Sequence, residues 1–337
     1  MTASRHGDVD ERPGGSGGAA SRFSPQLMHA AATLYYLEEA TQAEVAARLG
    51  TSRATVSRLL SEARRLGIVR IEVLDPAEAW DADLGPRTAA ALGLSAVYVA
   101  PQAHEAMVGA SLAPQLSAAL VDVGLDPGDV LLVSSGRTVW EAAQAELPQL
   151  PGTVVTPTVG GQDEPEAWYQ TNEITRQVAE KVKGRPVFLY APALPGPELH
   201  ERLVVDPSTR RVLDLWENAR CAVLGVGAPP LTRESMPGFV PRDAAWLGDA
   251  AGDICTRFYD VSGHPLRFPG SDRLIATSLE TLRRIPVTIG VAVGSEKIPS
   301  LLAAARAGWF NTLVTDVPTA SGLLAACTDE GAESPGR

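Results

Sequence analysis

The stretch Ala40-Thr41-Gln42-Ala43-Glu44-Val45-Ala46-Ala47-Arg48-Leu49-Gly50-Thr51-Ser52-Arg53-Ala54-Thr55-Val56-Ser57-Arg58-Leu59-Leu60 decides how the first part of the chain folds. It reads as a helix-turn-helix. Thr41 and Glu44 form a capping-box pair, which starts a helix. Val45, Ala46 and Leu49 fall on one face of it. Gly50 suits the left-handed residue that ends a helix, and Thr51 or Ser52 caps the next. In the second helix Ala54, Val56, Leu59, Leu60 and Ala63 are expected to face inward. Ser52, Arg53, Thr55, Ser57 and Arg58 then lie outside, near the helix start. That is where a recognition helix presents side chains to base edges in the major groove. Arginine can bond guanine with two donors, and Ser or Thr can bond a base or a phosphate. With Thr41 and Gln42 from the first helix start, these residues are the candidate DNA contacts. The alternative is a plain helical hairpin with a solvated Arg/Ser face.

The flanks extend the module to residues 21–74. Leu27, Ala30, Ala31, Leu34, Tyr35 and Leu37 form an apolar stripe on a preceding helix. Gly67-Ile68-Val69-Arg70-Ile71-Glu72-Val73 alternates like a half-buried strand and could form a small wing. Arg64, Arg65 and Arg70 are candidate phosphate contacts. Residues 1–20, rich in Gly and polar side chains, read as a disordered tail without the apolar core of a signal peptide. A second such tail is expected over 328–337.

The net charge of -11 looks wrong for a DNA-binding protein until it is divided. Residues 21–72 hold seven Arg against five acidic residues. The chain after residue 72 holds 20 basic against 32 acidic residues. A mildly basic head on an acidic body binds DNA weakly and in a salt-dependent way unless several heads act together. The body itself has no nucleic-acid character. Cys221, Cys255 and Cys327 are odd in number and widely spaced, which suggests buried thiols in a reducing cytoplasm rather than disulfides or a zinc site. No apolar run is long enough to span a membrane, and no cofactor or metal is called for.

Residues 75–93 read as a linker or junction helix. Beyond them, over 94–327, short apolar runs alternate with amphipathic stretches. Strands are expected at 96–100, 130–134, 154–159, 187–190, 222–226, 287–293 and 313–315. Helices are expected at 104–123, 139–146, 172–183, 208–218, 295–307 and 319–326. Such alternation predicts a Rossmann-like α/β domain with a largely parallel sheet, so the fold class is a small all-α (winged) head plus a larger α/β body. Ligands bind such sheets beyond the carboxyl ends of strands.

Three strand ends are candidates. Ser134-Ser135-Gly136-Arg137-Thr138 offers hydroxyls and turn N–H groups to phosphate or sugar oxygens; it lacks the lysine of a Walker loop. Gly160-Gly161-Gln162-Asp163 offers a close backbone approach and polar side chains. Gly294-Ser295-Glu296-Lys297 places a cation in a helix first turn, where a ligand anion or a carboxylate would relieve the dipole. Each also reads as an ordinary turn or exposed loop.

From about residue 27 to 326 the chain resembles the SorC family of bacterial sugar-responsive transcriptional regulators. The resemblance rests on an ordered set of motifs. These are Gln42–Ala46 with Ser52–Leu60; Gly136-Arg137-Thr138; Gly160-Gly161; Asn172 with Ala191-Pro192; Gly225-Val226-Gly227; Gly252-Asp253 with Asp260 and Gly263; Gly294 and Lys297; and Leu313–Asp316 with Thr319-Ala320. It implies a body similar to the glucosamine-6-phosphate and ribose-5-phosphate isomerase fold, with the isomerase activity lost. It implies an effector pocket of Ser135, Gly136, Arg137, Thr138, Gly161, Gln162, Asp253 and Lys297, and an oligomer, dimer or tetramer. Family members that sense phosphosugars can carry a basic residue near Gln162, so sugar, polyol and sugar phosphate all stay open. The competing readings are an isomerase- or hydrolase-like enzyme on the same fold and a regulator controlled by a protein partner. For the enzyme, Asp253, Asp260, Glu296 and His264 are scattered acid/base candidates that no spacing joins; His264 is most simply a turn residue. No catalytic residue is assigned.

Overall fold

The computed structural model describes residues 23–38, 40–69, 82–103, 107–233, 235–242 and 245–332. Contacts divide the chain into two units, residues 1–74 and 75–337.

The first unit is helical. Helix α1 (Pro25–Ala32) starts with Ser24 as cap and Pro at its first position, where the missing N–H costs nothing. Its continuation, Thr33–Leu37, is a π-turn. The extra residue rotates the chain, so Leu37 leaves the apolar stripe and is 79% exposed. Helix α2 (Gln42–Arg48) carries the full Thr41/Glu44 capping box. Gly50 takes φ +62° in the turn, and Ser52, not Thr51, caps α3 (Arg53–Arg65). Met28, Ala31, Val45, Val56, Leu59, Leu60 and Ala63 form the core. Ala54 is exposed rather than inward-facing; two residues before the buried Val56, it falls on the opposite side of the helix. Ile68 and Val69 pack against this core, but as bends rather than strand. The rest of the expected wing, with Arg70, lies outside the described residues, as does the expected tail at 1–20.

The second unit is built on a parallel sheet. Its strands are β1 (Ala96–Ala100), β2 (Val130–Val133), β3 (Val154–Pro157), β4 (Arg185–Pro186), β5 (Cys221–Gly225), β8 (Val287–Val291) and β9 (Thr312–Asp316). The order is β1-β9-β8-β5-β2-β3-β4. A small antiparallel hairpin, β6 (Ala250–Ile254) with β7 (Arg257–Asp260), stands apart. The central strands read as continuous apolar runs because both faces are covered. Alternate residues serve opposite cores: Leu131 and Val133 join one cluster, and Val130 and Leu132 the other.

The helices are α4 (Leu84–Leu92), α5 (Val108–Val123), α6 (Arg137–Gln144), α7 (Thr171–Val182), α8 (Pro197–Leu203), α9 (Pro207–Glu217), α10 (Leu279–Arg284), α11 (Ile298–Ala307) and α12 (Val317–Ala332). The junction helix expected over 75–93 is α4. It contributes Ala89 and Leu92 to a core of the second unit, and residues 75–81 lie outside the described set. The final helix runs through Ala332, past the tail boundary expected at 328; residues 333–337 are not described.

The strand expected at 187–190 ends instead at Pro186. The ladder is cut because Pro157, the next donor on β3, has no N–H. The Thr156 hydroxyl donates to the Val187 carbonyl in its place, at 2.9 Å. The Asn172 side chain then satisfies both backbone groups of Leu189.

Candidate functional site

The sheet order reverses between β2 and β5. From β2 the chain moves outward to β3 and β4; from β5 it moves the other way, to β8. A crevice opens beyond the carboxyl ends at such a point. Here it holds a cavity of about 380 Å³.

The β2 end forms one wall. Ser134 is buried; its hydroxyl accepts from the Gly225 N–H at 2.8 Å and donates to the Ser135 carbonyl, tying β2 to β5. Gly136 takes φ +123°, open to glycine, and its N–H donates to the Trp168 carbonyl. Helix α6 begins there without a side-chain cap, so its first-turn donors face the cavity mouth unclaimed by any cap. Arg137 lies 5.8 Å from the Trp168 ring centroid and pairs with Glu141 at 2.9 Å. The other Glu141 oxygen accepts from the Gly109 N–H. Gln162 is buried; its amide donates to the Ser135 hydroxyl at 3.0 Å while Oε1 has no partner.

The hairpin forms the opposite wall. Cys255 and Thr256 both adopt positive φ, 52° and 58°. That is the conformation of a two-residue hairpin turn that normally takes Asn-Gly. A β-branched residue there is strained. Asp253 steadies the turn by accepting from the Thr256 N–H at 3.0 Å. Its second oxygen lies 2.6 Å from Arg233 Nη2 in a largely buried ion pair. Gly227 is required beside that pair, because a Cβ there would overlap both Asp253 and Arg233. Arg233 also donates through Nε to the Ala228 carbonyl.

Lys297 closes the third side, in the short 3-10 turn Ser295–Lys297 before α11. It is half-buried, and among the described residues its ammonium has no hydrogen bond or ion pair. Burial holds its pKa below the ordinary lysine range, against the opposing pull of Glu296.

Ser135, Gly136, Arg137, Thr138, Gln162, Asp253 and Lys297 thus line one cavity. Gly161 does not. Its N–H and C=O are both spent on the 191–193 segment, to Ala191 and from Ala193. The close approach that requires Gly160 is also to that segment, with a Cβ 2.5 Å from the Ala191 carbonyl. The paired glycines therefore serve chain packing, not a ligand. Asp163 and His264 are exposed and outside the cavity, and the half-buried Asp260 lies outside it too. Asp260 caps its own turn by accepting from the Ser262 and His264 N–H groups.

On the helical unit, the residues at the start of α3 divide in two. Ser52 and Thr55 bond to each other, with the Ser52 hydroxyl also accepting the Thr55 N–H. Thr41 is likewise occupied by Glu44, and Gln42 is half-buried. Arg53, Ser57 and Arg58 are exposed, and among the described residues the two guanidinium groups have no side-chain partner. Arg65 is held by Glu62 through two bonds, at 2.9 and 2.6 Å.

Residues 80–325 match the family model described as "Putative sugar-binding domain", and residues 32–66 match that of Sigma-70, region 4. The chain is 31% identical over 307 residues to the sorbitol operon regulator of Klebsiella pneumoniae, covering 87% of this chain and 96% of that one. It is also 31% identical to the deoxyribonucleoside regulator of Bacillus subtilis, over 90% and 98% of the two chains. The crystal structure of the full-length Klebsiella regulator superposes with a TM-score of 0.66 at 30% identity, over 89% of this chain and 98% of that one. The chain belongs to the SorC family. It is a sugar-responsive transcriptional regulator with a DNA-binding helix-turn-helix.

Several cavity residues of this SorC-family chain escaped the sequence reading. Arg233 sits in a long irregular segment with no periodicity to mark it. Trp168 and Tyr169 lie on a 3-10 turn between elements, where no periodicity or motif marks them. Thr256 and Cys255 gave no turn signal because neither is Gly or Asn. Among the described residues no group of three His, Cys, Asp or Glu side chains could hold a metal ion, and no helix is long and apolar enough to cross a membrane.

Proposed function

We propose that the cavity at the β2/β5 switch point binds the effector and that the exposed start of α3 reads the operator. One observation carries the effector reading. Seven polar or glycine residues from four separate places in the sequence line a single cavity that holds an uncapped helix start, a buried amide and, among the described residues, an unpartnered cation. Those groups suit a polyhydroxylated ligand. Hydroxyls can serve Gln162 and Asp253, and Lys297 with the α6 first turn can serve oxygens or one anionic group. A sugar, a polyol and a sugar phosphate all satisfy this description. On the head, Arg53 and Arg58 are free to contact bases or phosphates, with Ser57 between them. Thr41, Ser52 and Thr55 act first as helix caps, and the Thr41 and Thr55 N–H groups are already taken by Glu44 and Ser52; Gln42, at the start of α2, remains a candidate phosphate contact.

The protein works as a cytoplasmic homo-oligomer, because a two-fold operator is read by paired heads. It acts as a regulator rather than an enzyme: Asp253 is committed to Arg233 and Thr256, and Asp260 and His264 are not among the cavity-lining residues, which leaves Glu296 alone of the four acid/base candidates uncommitted on the cavity wall.

The test is operator affinity with and without a panel of free sugars, polyols and sugar phosphates, alongside an assay for turnover. An effector changes operator affinity without being consumed, and operator changes effector affinity by the same factor. Lys297→Met abolishes the response while operator binding without ligand stays near normal. A full response in Lys297→Met and Thr138→Val would move the effector site elsewhere, and turnover would make the protein an enzyme.

A further inference from the structure

We infer that a second cavity, walled by the hairpin β6–β7 and the segment 265–280, binds a small zwitterion, an amino acid with an apolar side chain. The site is separate from the effector cavity and does not depend on what that cavity binds.

The second cavity measures about 320 Å³. It meets the effector cavity at the strained turn, where Thr256 lines both; no other residue is shared. Three features of its wall select the ligand.

The first is a pair of arginines. Arg257, the first residue of β7, is pinned by carbonyls of the facing segment. Its Nη1 donates to Ser271 at 2.9 Å, and its Nη2 to Leu274 at 3.1 Å and Ala276 at 3.0 Å. Nε is shut off from solvent without a partner. Carbonyl dipoles take three donors, yet among the described residues no carboxylate pairs with the charge. A buried charge left in this way is costly. Burial accordingly pulls the Arg257 pKa below the ordinary arginine value, and the nearby Arg267 adds to the effect against the pull of Glu280. Arg267 lines the same cavity, is exposed, and has no hydrogen bond or ion pair among the described residues. Arg257 thus supplies a fixed positive field, and Arg267 supplies free donors in the fork that matches a carboxylate.

The second feature is negative. Asp272 and Glu280 also line the cavity, both exposed, and no ion pair joins either to Arg257 or Arg267. Two cations and two carboxylates therefore border one space without neutralising one another. A phosphate dianion is attracted by the first pair and repelled by the second. A ligand that carries both a carboxylate and an ammonium is attracted by both pairs.

The third feature is apolar. Phe258, Pro265, Leu266, Phe268, Leu274 and Leu279 make up most of the remaining wall. Phe258 and Phe268 meet edge to face with centroids 6.1 Å apart, and Trp246 stacks on Phe268 at 5.6 Å. A preformed wall of this kind suits a branched or aromatic side chain. Had Arg257 served only to hold the 271–276 segment, a second arginine and two unpaired carboxylates around the same space would have no role.

Calorimetric titration of the full chain with leucine, methionine and phenylalanine tests the site. Isocaproate, which is leucine without its ammonium, isopentylamine, which lacks the carboxylate, and inorganic phosphate are the comparison ligands. At least one amino acid binds and raises Tm. Isocaproate binds about tenfold or more weakly than leucine, and isopentylamine and phosphate weaker still. Arg267→Met and Glu280→Gln, at exposed positions that leave the fold intact, each weaken the amino acid by about tenfold or more. Lys297→Met leaves amino-acid affinity unchanged, because Lys297 lines the effector cavity and not this one. No binding of any of the three amino acids at about 10 mM, enough to fill a millimolar site, overturns the inference. Isocaproate or phosphate binding as tightly as the amino acid makes this a plain anion site and overturns the zwitterion. Amino-acid binding that survives Arg267→Met but is lost in Lys297→Met returns the ligand to the effector cavity and overturns the second site.

Discussion

Removing Asp253 leaves a guanidinium stranded, and the cost can be bounded. Arg233 Nη2 and Asp253 Oδ1 are 2.6 Å apart, with side chains 16% and 13% exposed. At an effective dielectric of about 20, charges at that distance attract by roughly 6 kcal/mol. Desolvation of two ions offsets most of this, so the intact pair adds little net stability. Truncating one partner is different. In Asp253→Ala, Arg233 keeps its Nε bond to the Ala228 carbonyl but has nothing else for Nη2. An uncompensated buried charge of this kind costs about 3–5 kcal/mol. For a unit of this size each kcal/mol moves Tm by about 2–4 °C, so Tm of the second unit falls by roughly 6–20 °C. The assay is calorimetry of the wild type, Asp253→Ala, Arg233→Met and the double variant. The double variant should be more stable than Asp253→Ala alone, because the stranded charge goes with its partner. A loss of under about 1 kcal/mol in Asp253→Ala, the range of an exposed pair, would refute the burial argument. So would a double variant whose loss equals the sum of the singles.

Three further outcomes follow from the same geometry. Arg53→Ala or Arg58→Ala should weaken operator binding by about 1–3 kcal/mol where the side chain reads a guanine. Neither should change thermal stability, since among the described residues neither group has a side-chain partner; binding titrations with melting curves check both. Thr41→Ala should cost the head about 1 kcal/mol through the lost cap. The Thr41 N–H and hydroxyl lower the Glu44 pKa below its ordinary value of 4.5. That contribution is therefore complete above about pH 5 and is lost as pH falls through the lowered value. Acid unfolding of the head should be less steep in Glu44→Gln, and an identical pH profile would discount the box. Burial pushes the Cys221 and Cys255 thiols up to about 12, so an alkylating reagent at pH 8 should label native protein at Cys327 alone; mass spectrometry of the labelled peptides decides.

Elements with strong local signals were legible in the sequence. The Thr41/Glu44 box, the Gly50 turn and the apolar run into Ser134–Thr138 each combine a start, a face and a stop within a few residues. The structure realises all three. Elements fixed by distant partners were not. Leu37 keeps helical spacing in the sequence, yet the π-turn at Thr33–Leu37 carries it off the core face. Residues 187–190 look like a strand, yet the missing N–H is on Pro157, thirty residues away. The hairpin β6–β7 was missed because its turn is Cys255-Thr256, whose strain is tolerated only through the Asp253 carboxylate beneath it.

The same distinction separates the cavity residues that were legible from those that were not. Gly136, Thr138 and Lys297 sit at strand ends or helix starts, where backbone geometry alone makes a residue available to a ligand; Asp253, on a hairpin the sequence did not show, was reached only through the family resemblance. Arg233 has no such position. It reaches the cavity only because Gly227 leaves room for its guanidinium beside Asp253, and Gly227 lies six residues earlier on the β5 exit. Gly160 shows the converse error. A glycine after a strand implies that something approaches closely, but not what. Here the approaching atom is the Ala191 carbonyl of the neighbouring segment. A close approach can be inferred from sequence; the identity of the approaching group follows only once the strand order puts β3 beside the 191–193 segment and β2 beside β5.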